Sequence, residues 1–327
     1  MSGITRENEN RKRMEAKPED MVLAPYKGAE PPAPDWFHDA IAQTAKEASV
    51  VVDGAKIAYR SWGDPARPGL LLVHGNGAHG QWFDFIAPFL AEDYHVVAPT
   101  FSGMGDSDWR ERYSFSQFSA EQHAVCEDAG LFAHDRKPII AAHSFGGIVA
   151  LYTTMMKGGE KFGGAVIIDS HIEPPGDERP RPPRRTGGNR VYPGFDAALS
   201  RFRLAPPQPC ANHFLVDYIA RRSIIETTDE DGGKGFSWKF DPFIFNSLMI
   251  EWEEVDLTSL ETKCPIVFMR GGLSDLVTDR VASYMQSLQD PPVPMITVPG
   301  AYHHVMLDQP LAFVTAIRGL LTAWPEA

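Results

Sequence analysis

Six short, unbroken apolar runs, each closed by turn residues, narrow the folds open to this chain more than any other feature. They occupy residues 70–73, 95–99, 139–142, 165–168, 266–269 and 295–298. Runs of that length suit strands buried on both faces, as in a parallel sheet covered by helices on each side. Helical patterns fall between them at 117–129, 148–157, 279–288 and 311–323. Strand and helix in alternation imply an α/β sheet with right-handed crossovers. Ahead of the first run, Val50-Val51-Val52, Asp53-Gly54 and residues 55–62 read as a hairpin, because Asp-Gly supplies the positive φ angles of a type I′ turn.

One interval interrupts the alternation. Between Asp169 and Pro265 lies a segment too long for a bare loop in a compact domain. It carries its own aromatic complement: Phe202, Phe214, Tyr218, Phe236, Trp238, Phe240, Phe243, Phe245 and Trp252. The expectation is an inserted, largely helical cap over 171–263, with a core made of 49–170 and 264–327. A Pro/Arg stretch at 173–185 reads as a solvated linker at the start of the insertion. Residues 1–48 form an N-terminal extension: a charged start, a Pro-rich stretch at 29–35, then a short amphipathic helix with Trp36, Phe37, Ile41 and Ala45. Such spacing implies packing on the chain's own surface; a dimer arm is the other reading and leaves a homodimer open.

Composition removes several functional classes. A net charge of −12 argues against a nucleic-acid partner, since that affinity rests on clustered Lys and Arg. Three widely spaced cysteines, Cys126, Cys210 and Cys264, supply neither a disulfide framework nor a thiolate zinc site. The N-terminus lacks the apolar core of a signal peptide, and no run of about 18 apolar residues could span a membrane. A soluble, cytoplasmic protein is the expectation.

The chemistry concentrates in Ile139-Ile-Ala-Ala-His-Ser-Phe-Gly-Gly-Ile148. An apolar strand runs into Ser144, flanked two positions either side by Ala142 and Gly146, and a helix follows. So sharp a strand-to-helix turn tolerates only small neighbours and pushes the hydroxyl into the open. The helix N-terminus behind it adds unpaired N–H groups where an oxyanion forms. His143 points to the opposite face of its strand and suits a structural or pocket-wall role better than that of base. Upstream, 70–73 breaks at His74-Gly75-Asn76-Gly77, a Gly-rich loop that lets backbone approach a substrate. The backbone N–H groups of Asn76 and Phe145 are assigned as oxyanion donors.

Near the C-terminus, Val298-Pro-Gly-Ala-Tyr-His303-His304 places a histidine just past a strand, where imidazole can serve as general base. Paired histidines alone do not make a zinc site; HExxH spacing and a third ligand are missing, so no metal and no cofactor are expected. The carboxylate that orients the imidazole has two candidates. Asp275 closes Arg270-Gly-Gly-Leu-Ser-Asp275, and Asp169 closes Ile167-Ile168-Asp169; either could instead cap a helix.

The succession HGNG (74–77), GMGDSD (103–108), AHSFGG (142–147), GGLSD (271–275) and GAYHHVMLDQP (300–310) resembles the α/β-hydrolase superfamily, in its cap-bearing esterase and epoxide-hydrolase-like branch. The likeness spans about residues 49–323. It implies an eight-stranded, mostly parallel sheet with a helical cap, and the chain order Ser…Asp…His. Residue by residue it implies Ser144 as nucleophile, His303 as base and Asp275 as acid, with Asn76 and Phe145 as oxyanion donors. His303 is taken over His304 for its spacing to Pro310, and Asp275 over Asp169 for the spacing of glycine to acid. Ser144 excludes the alkyl-enzyme chemistry of relatives with Asp at the elbow. His74, Gly75, His143, His171 and Trp82 are the expected pocket residues, and Gly103–Asp108 is structural. The expected substrate is a small-molecule carboxylic ester with an apolar part; a carbon–carbon bond hydrolase with the same triad and a non-catalytic binding protein are the alternatives. Two outcomes follow from this reading: chelators leave activity unchanged, and Asp275→Asn abolishes turnover while Asp169→Asn loses much less, both read by ester hydrolysis.

Overall fold

The computed structural model describes residues 21–176, 184–229, 232–249 and 257–324. The charged start at 1–20, part of the Pro/Arg stretch and Trp252 lie outside them. Each apolar run becomes a strand. Counting only the main sheet, these are β1 Lys46–Val52, β2 Ala55–Trp62, β3 Gly69–Val73, β4 His95–Pro99, β5 Ile139–His143, β6 Gly164–Ile168, β7 Ile266–Gly271 and β8 Met295–Val298. Their spatial order is β1-β2-β4-β3-β5-β6-β7-β8. Pairs β1–β2 and β2–β4 are antiparallel, and every other pair is parallel. The hairpin turn is of the expected kind, with φ of 46° at Asp53 and 79° at Gly54. β1 begins at Lys46 rather than near Ser49, because Lys46–Ala48 continue the antiparallel ladder onto Ser61, Arg60 and Tyr59.

Strands β3, β4, β5 and β6 are buried along their whole length. Successive side chains alternate between two apolar layers: Leu70, Leu72, Ile139 and Ala141 face one, and Leu71, Val73, Ile140 and Ala142 the other. Helices Phe115–Asp128, Phe145–Met155, Asp279–Gln286 and Pro310–Ala323 occupy the four predicted positions and cover the sheet. The loop 103–108 is structural: Ser107 accepts from Ala58 N–H and donates to Thr100 O, which clamps it to β2.

The insertion is helical at Phe195–Leu199, His213–Arg222 and Ile244–Ser247, but it also contains a β-hairpin, Ile224–Thr228 against Lys234–Trp238. The expectation of a mainly helical cap missed this hairpin, although its β-branched Ile-Ile-Glu-Thr-Thr run and Gly232-Gly233 turn carry a strand signature. The insertion is tied to the core by polar bonds. Asp84 accepts from Arg60 Nε at 2.9 Å and from Tyr218 OH at 2.7 Å, His79 Nε2 bonds Ser223 Oγ at 2.9 Å, and Tyr113 OH donates to Asp241 at 2.8 Å. The N-terminal helix Asp35–Ala42 packs on this chain: Phe37 meets Phe214 and Tyr218, and Trp36 meets Phe89.

The helix Phe145–Met155 starts hard against the end of β3. A methyl group on Gly146 would lie 2.3 Å from the His74 carbonyl oxygen, a backbone atom that cannot rotate away. Gly146→Ala therefore costs about 1–3 kcal/mol of stability and lowers the thermal midpoint; an unchanged melting curve would show that the two backbones are free to separate.

Candidate active site

The chemistry gathers along the C-terminal edge of the parallel strands, where open α/β sheets bind ligands. Ser144 is the first residue past β5. Its φ of 54° and ψ of −121° place a non-glycine residue in a conformation seldom occupied, the strained turn that a nucleophile elbow requires. The turn is held by Ser144 N–H donating to Ile168 O at 2.9 Å, and by Ser170 Oγ donating to Ser144 O at 2.7 Å. Gly147 must be glycine for the same reason: a Cβ there would sit 1.9 Å from Ser170 Oγ.

His303 Nε2 lies 2.9 Å from Ser144 Oγ, and its Nδ1 lies 2.8 Å from Asp169 Oδ2. A carboxylate can only accept, so Nδ1 carries the proton and Nε2 presents a lone pair to the serine hydroxyl. Asp169 is 1% exposed and accepts two further bonds, from Gly271 N–H at 2.9 Å and Ser274 Oγ at 2.6 Å. Ser144, His303 and Asp169 are thus one hydrogen-bonded chain.

Asp275 does not join it. Ser274 is buried and points at the Asp169 carboxylate, while Asp275, the next residue, is exposed. The reason is the sheet: β6 lies between β5 and β7, so the first residue beyond it arrives beside the elbow. Asp169 N–H donates to Met269 O at 2.7 Å, which fixes its backbone against β7, at a positive φ of 46°. Nor does Asp275 cap the next helix; Thr278 accepts from Val281 N–H there. Glycine-to-acid spacing pointed to the loop after β7, but the carboxylate bonded to His303 follows β6, and from the β7 loop it is Ser274 that reaches it.

Gly75 abuts Ser144, since a Cβ on it would stand 3.1 Å from Ser144 Cβ. Asn76 follows, exposed, and Phe145 opens the elbow helix. Among the described residues neither of their backbone N–H groups donates to a protein acceptor, as an oxyanion site requires.

Two other predicted pocket residues, His74 and His143, are tied to backbone. His74 bonds Gly75 O at 2.7 Å through Nδ1 and accepts from Phe101 N–H at 3.1 Å through Nε2, and burial pushes its pKa down to about 4. Both nitrogens hold backbone, so neither is offered to a ligand. His143 Nε2 donates to His303 O at 3.0 Å; burial, and then the neighbouring His303, hold its pKa well below the ordinary range. Trp82 packs in the core with its ring 5.7 Å from that of His304. His171 stays half-exposed where the chain leaves β6, its Nε2 3.8 Å from Glu173 Oε1. Among the described residues no group of three His, Cys, Asp or Glu is placed to hold a metal ion.

The sequence matches the alpha/beta hydrolase family over residues 70–316. The chain belongs to that family. It is similar to an esterase of Mycobacterium tuberculosis, 26% identical over 280 residues that cover 83% of this chain and 88% of the relative. Among solved structures it is similar to a thioesterase domain from the curacin biosynthetic pathway, with TM-score 0.66 and 20% identity over 84% of this chain and 99% of the other. It is equally similar to E-2-(acetamidomethylene)succinate hydrolase, with TM-score 0.66 and 19% identity over 85% and 100% of the two chains. The chain is therefore a hydrolase of this fold, and no helix among its described residues is long and apolar enough to cross a membrane. The bond from His303 to Asp169 predicts the reverse of the expected ranking of the two carboxylates. Asp169→Asn is expected to lower turnover by several orders of magnitude, as when an imidazole is left in the wrong tautomer, and Asp275→Asn to stay close to wild type, both measured by steady-state ester hydrolysis.

Proposed function

We propose that this hydrolase cleaves carboxylic esters through an acyl-enzyme, with Ser144 as nucleophile, His303 as general base and Asp169 as the carboxylate that orients it. The observation that carries the proposal is the continuous chain of hydrogen bonds from Ser144 Oγ through His303 to Asp169. In this reading Ser144 Oγ attacks the ester carbonyl while His303 Nε2 takes its proton. The carbonyl oxygen, now anionic, is met by the N–H groups of Asn76 and Phe145. Imidazolium then protonates the departing alkoxide as the tetrahedral intermediate collapses. A water, deprotonated by the same nitrogen, attacks the acyl-enzyme; the proton returns to Ser144 Oγ, and the carboxylic acid leaves.

An ester with an apolar portion fits the surroundings. Phe145, beside the nucleophile, has ring contacts with Phe115, Phe118 and Phe245 at 6.0, 5.4 and 5.9 Å. The half-exposed Phe245 comes from the insertion, so core and insertion both contribute rings to this face. The similarity to a mycobacterial esterase supports the same substrate class.

A panel of p-nitrophenyl esters of graded acyl length tests the proposal. Wild type hydrolyses them, and Ser144→Ala keeps its fold by circular dichroism yet loses about 10³-fold or more in kcat. Full hydrolysis by Ser144→Ala would remove the nucleophile from the account.

A further inference from the structure

His303 sits in a loop whose backbone is held at the peptide after it and at the N–H of the residue before it. On the side before it, Tyr302 N–H donates to Asp308 Oδ2 at 2.7 Å. On the side after it, in the 303–304 peptide, the His303 carbonyl accepts from His143 at 3.0 Å and His304 N–H donates at 2.9 Å to Oε1 of Gln208, which also accepts from His304 Nδ1 at 2.8 Å. Gln208 belongs to the insertion. Its Nε2 donates to both oxygens of Asp308, at 3.1 and 2.9 Å, so one amide joins the 303–304 peptide to the carboxylate that holds Tyr302 N–H. The amide orientation is settled by its partners, because a backbone N–H can only donate and a carboxylate can only accept. Asn212 adds a second tie from the insertion, donating to Leu307 O at 2.7 Å and Asp308 O at 3.1 Å.

We propose that Gln208 is a positioning residue for the general base, the side chain through which the inserted segment sets the place of His303 against Ser144. The inference rests on His303 being that base. A proton transfer between groups 2.9 Å apart tolerates little displacement. The loop carrying the base is pinned by a residue that is not part of the α/β core, so the seating of the insertion and the competence of the triad are linked. Gln208 bonds to neither Ser144 nor Asp169, and acts only through His304 and Asp308.

Charge around this clasp supplies a test that a merely structural side chain would fail. The ionisable groups facing Gln208 are Asp308, which burial raises to about 6, His304, which burial keeps neutral, and Cys210, whose thiol burial pushes up to about 12; His303 and His143 stand behind His304. In Gln208→Glu one carboxyl oxygen still accepts from His304, while the other meets Asp308. A proton shared by the two acids preserves the clasp; its loss at higher pH sets two anions against each other and moves the loop.

The experiment uses p-nitrophenyl acetate hydrolysis by wild type, Gln208→Ala, Gln208→Glu and His303→Ala, each profiled against pH. Gln208→Ala is expected to lose roughly tenfold or more in kcat with KM within about threefold of wild type. Gln208→Glu is expected to show a bell, rising with wild type and then falling at alkaline pH where wild type stays on its plateau. If Gln208→Ala does not fold, the Gln208→Glu profile decides alone. A wild-type kcat in Gln208→Ala, or a Gln208→Glu profile that superimposes on wild type, overturns the positioning role. His303→Ala separates the two claims: its inactivity beside a normal Gln208→Ala sinks only this inference, whereas full activity in His303→Ala removes the base on which it stands.

Discussion

The hydrogen-bond ladder across β5, β6 and β7 is the constraint on which the site depends. Parallel pairing sets His143 opposite Ile168, and Ile168 opposite Met269, so the three strands end nearly level. The next bonds beyond the strands belong to the site itself: Ser144 N–H to Ile168 O, Asp169 N–H to Met269 O, and Gly271 N–H to the Asp169 carboxylate. Ser144 and Asp169 are positioned by the same backbone register that builds the core. Both carry left-handed φ angles, and that strain persists because buried strands on either side leave the chain no other path.

Four buried histidines surround this edge, and their partners assign them different work. His74, His143 and His304 bond to carbonyl or amide groups or accept from backbone N–H, and burial keeps each of them neutral. A neutral imidazole with one donor and one acceptor makes a rigid strut between peptide groups. His303 alone faces a carboxylate on one side and a serine hydroxyl on the other. A carboxylate at Nδ1 is what lets an imidazole accept a proton at Nε2 without leaving an unpaired charge in a buried place.

Much of this was legible in the residues, because the relevant signals are local. Buried strands, the small-residue frame around Ser144 and a histidine just past the last strand are all visible within a few positions. The carboxylate that bonds His303 was not, since Asp169 and Asp275 both follow buried strands and only the order of neighbours in the sheet separates them. What decides it is that Ser274 turns inward and Asp275 outward, a one-residue matter of loop path. The hairpin of the insertion was overlooked for a related reason: its strands are partly exposed, so they lack the unbroken apolar runs that mark the core. Gln208 gives no local signal, since an isolated glutamine in a Pro-rich stretch looks like loop until the fold sets it beside His304.

Covalent trapping probes the central claim most directly. The wild-type protein treated with a fluorophosphonate should gain the mass of one phosphonyl group, with peptide mapping placing it on Ser144. No adduct at all, or an adduct of equal yield on another serine, would contradict the assignment of Ser144 as the nucleophile that His303 and Asp169 activate.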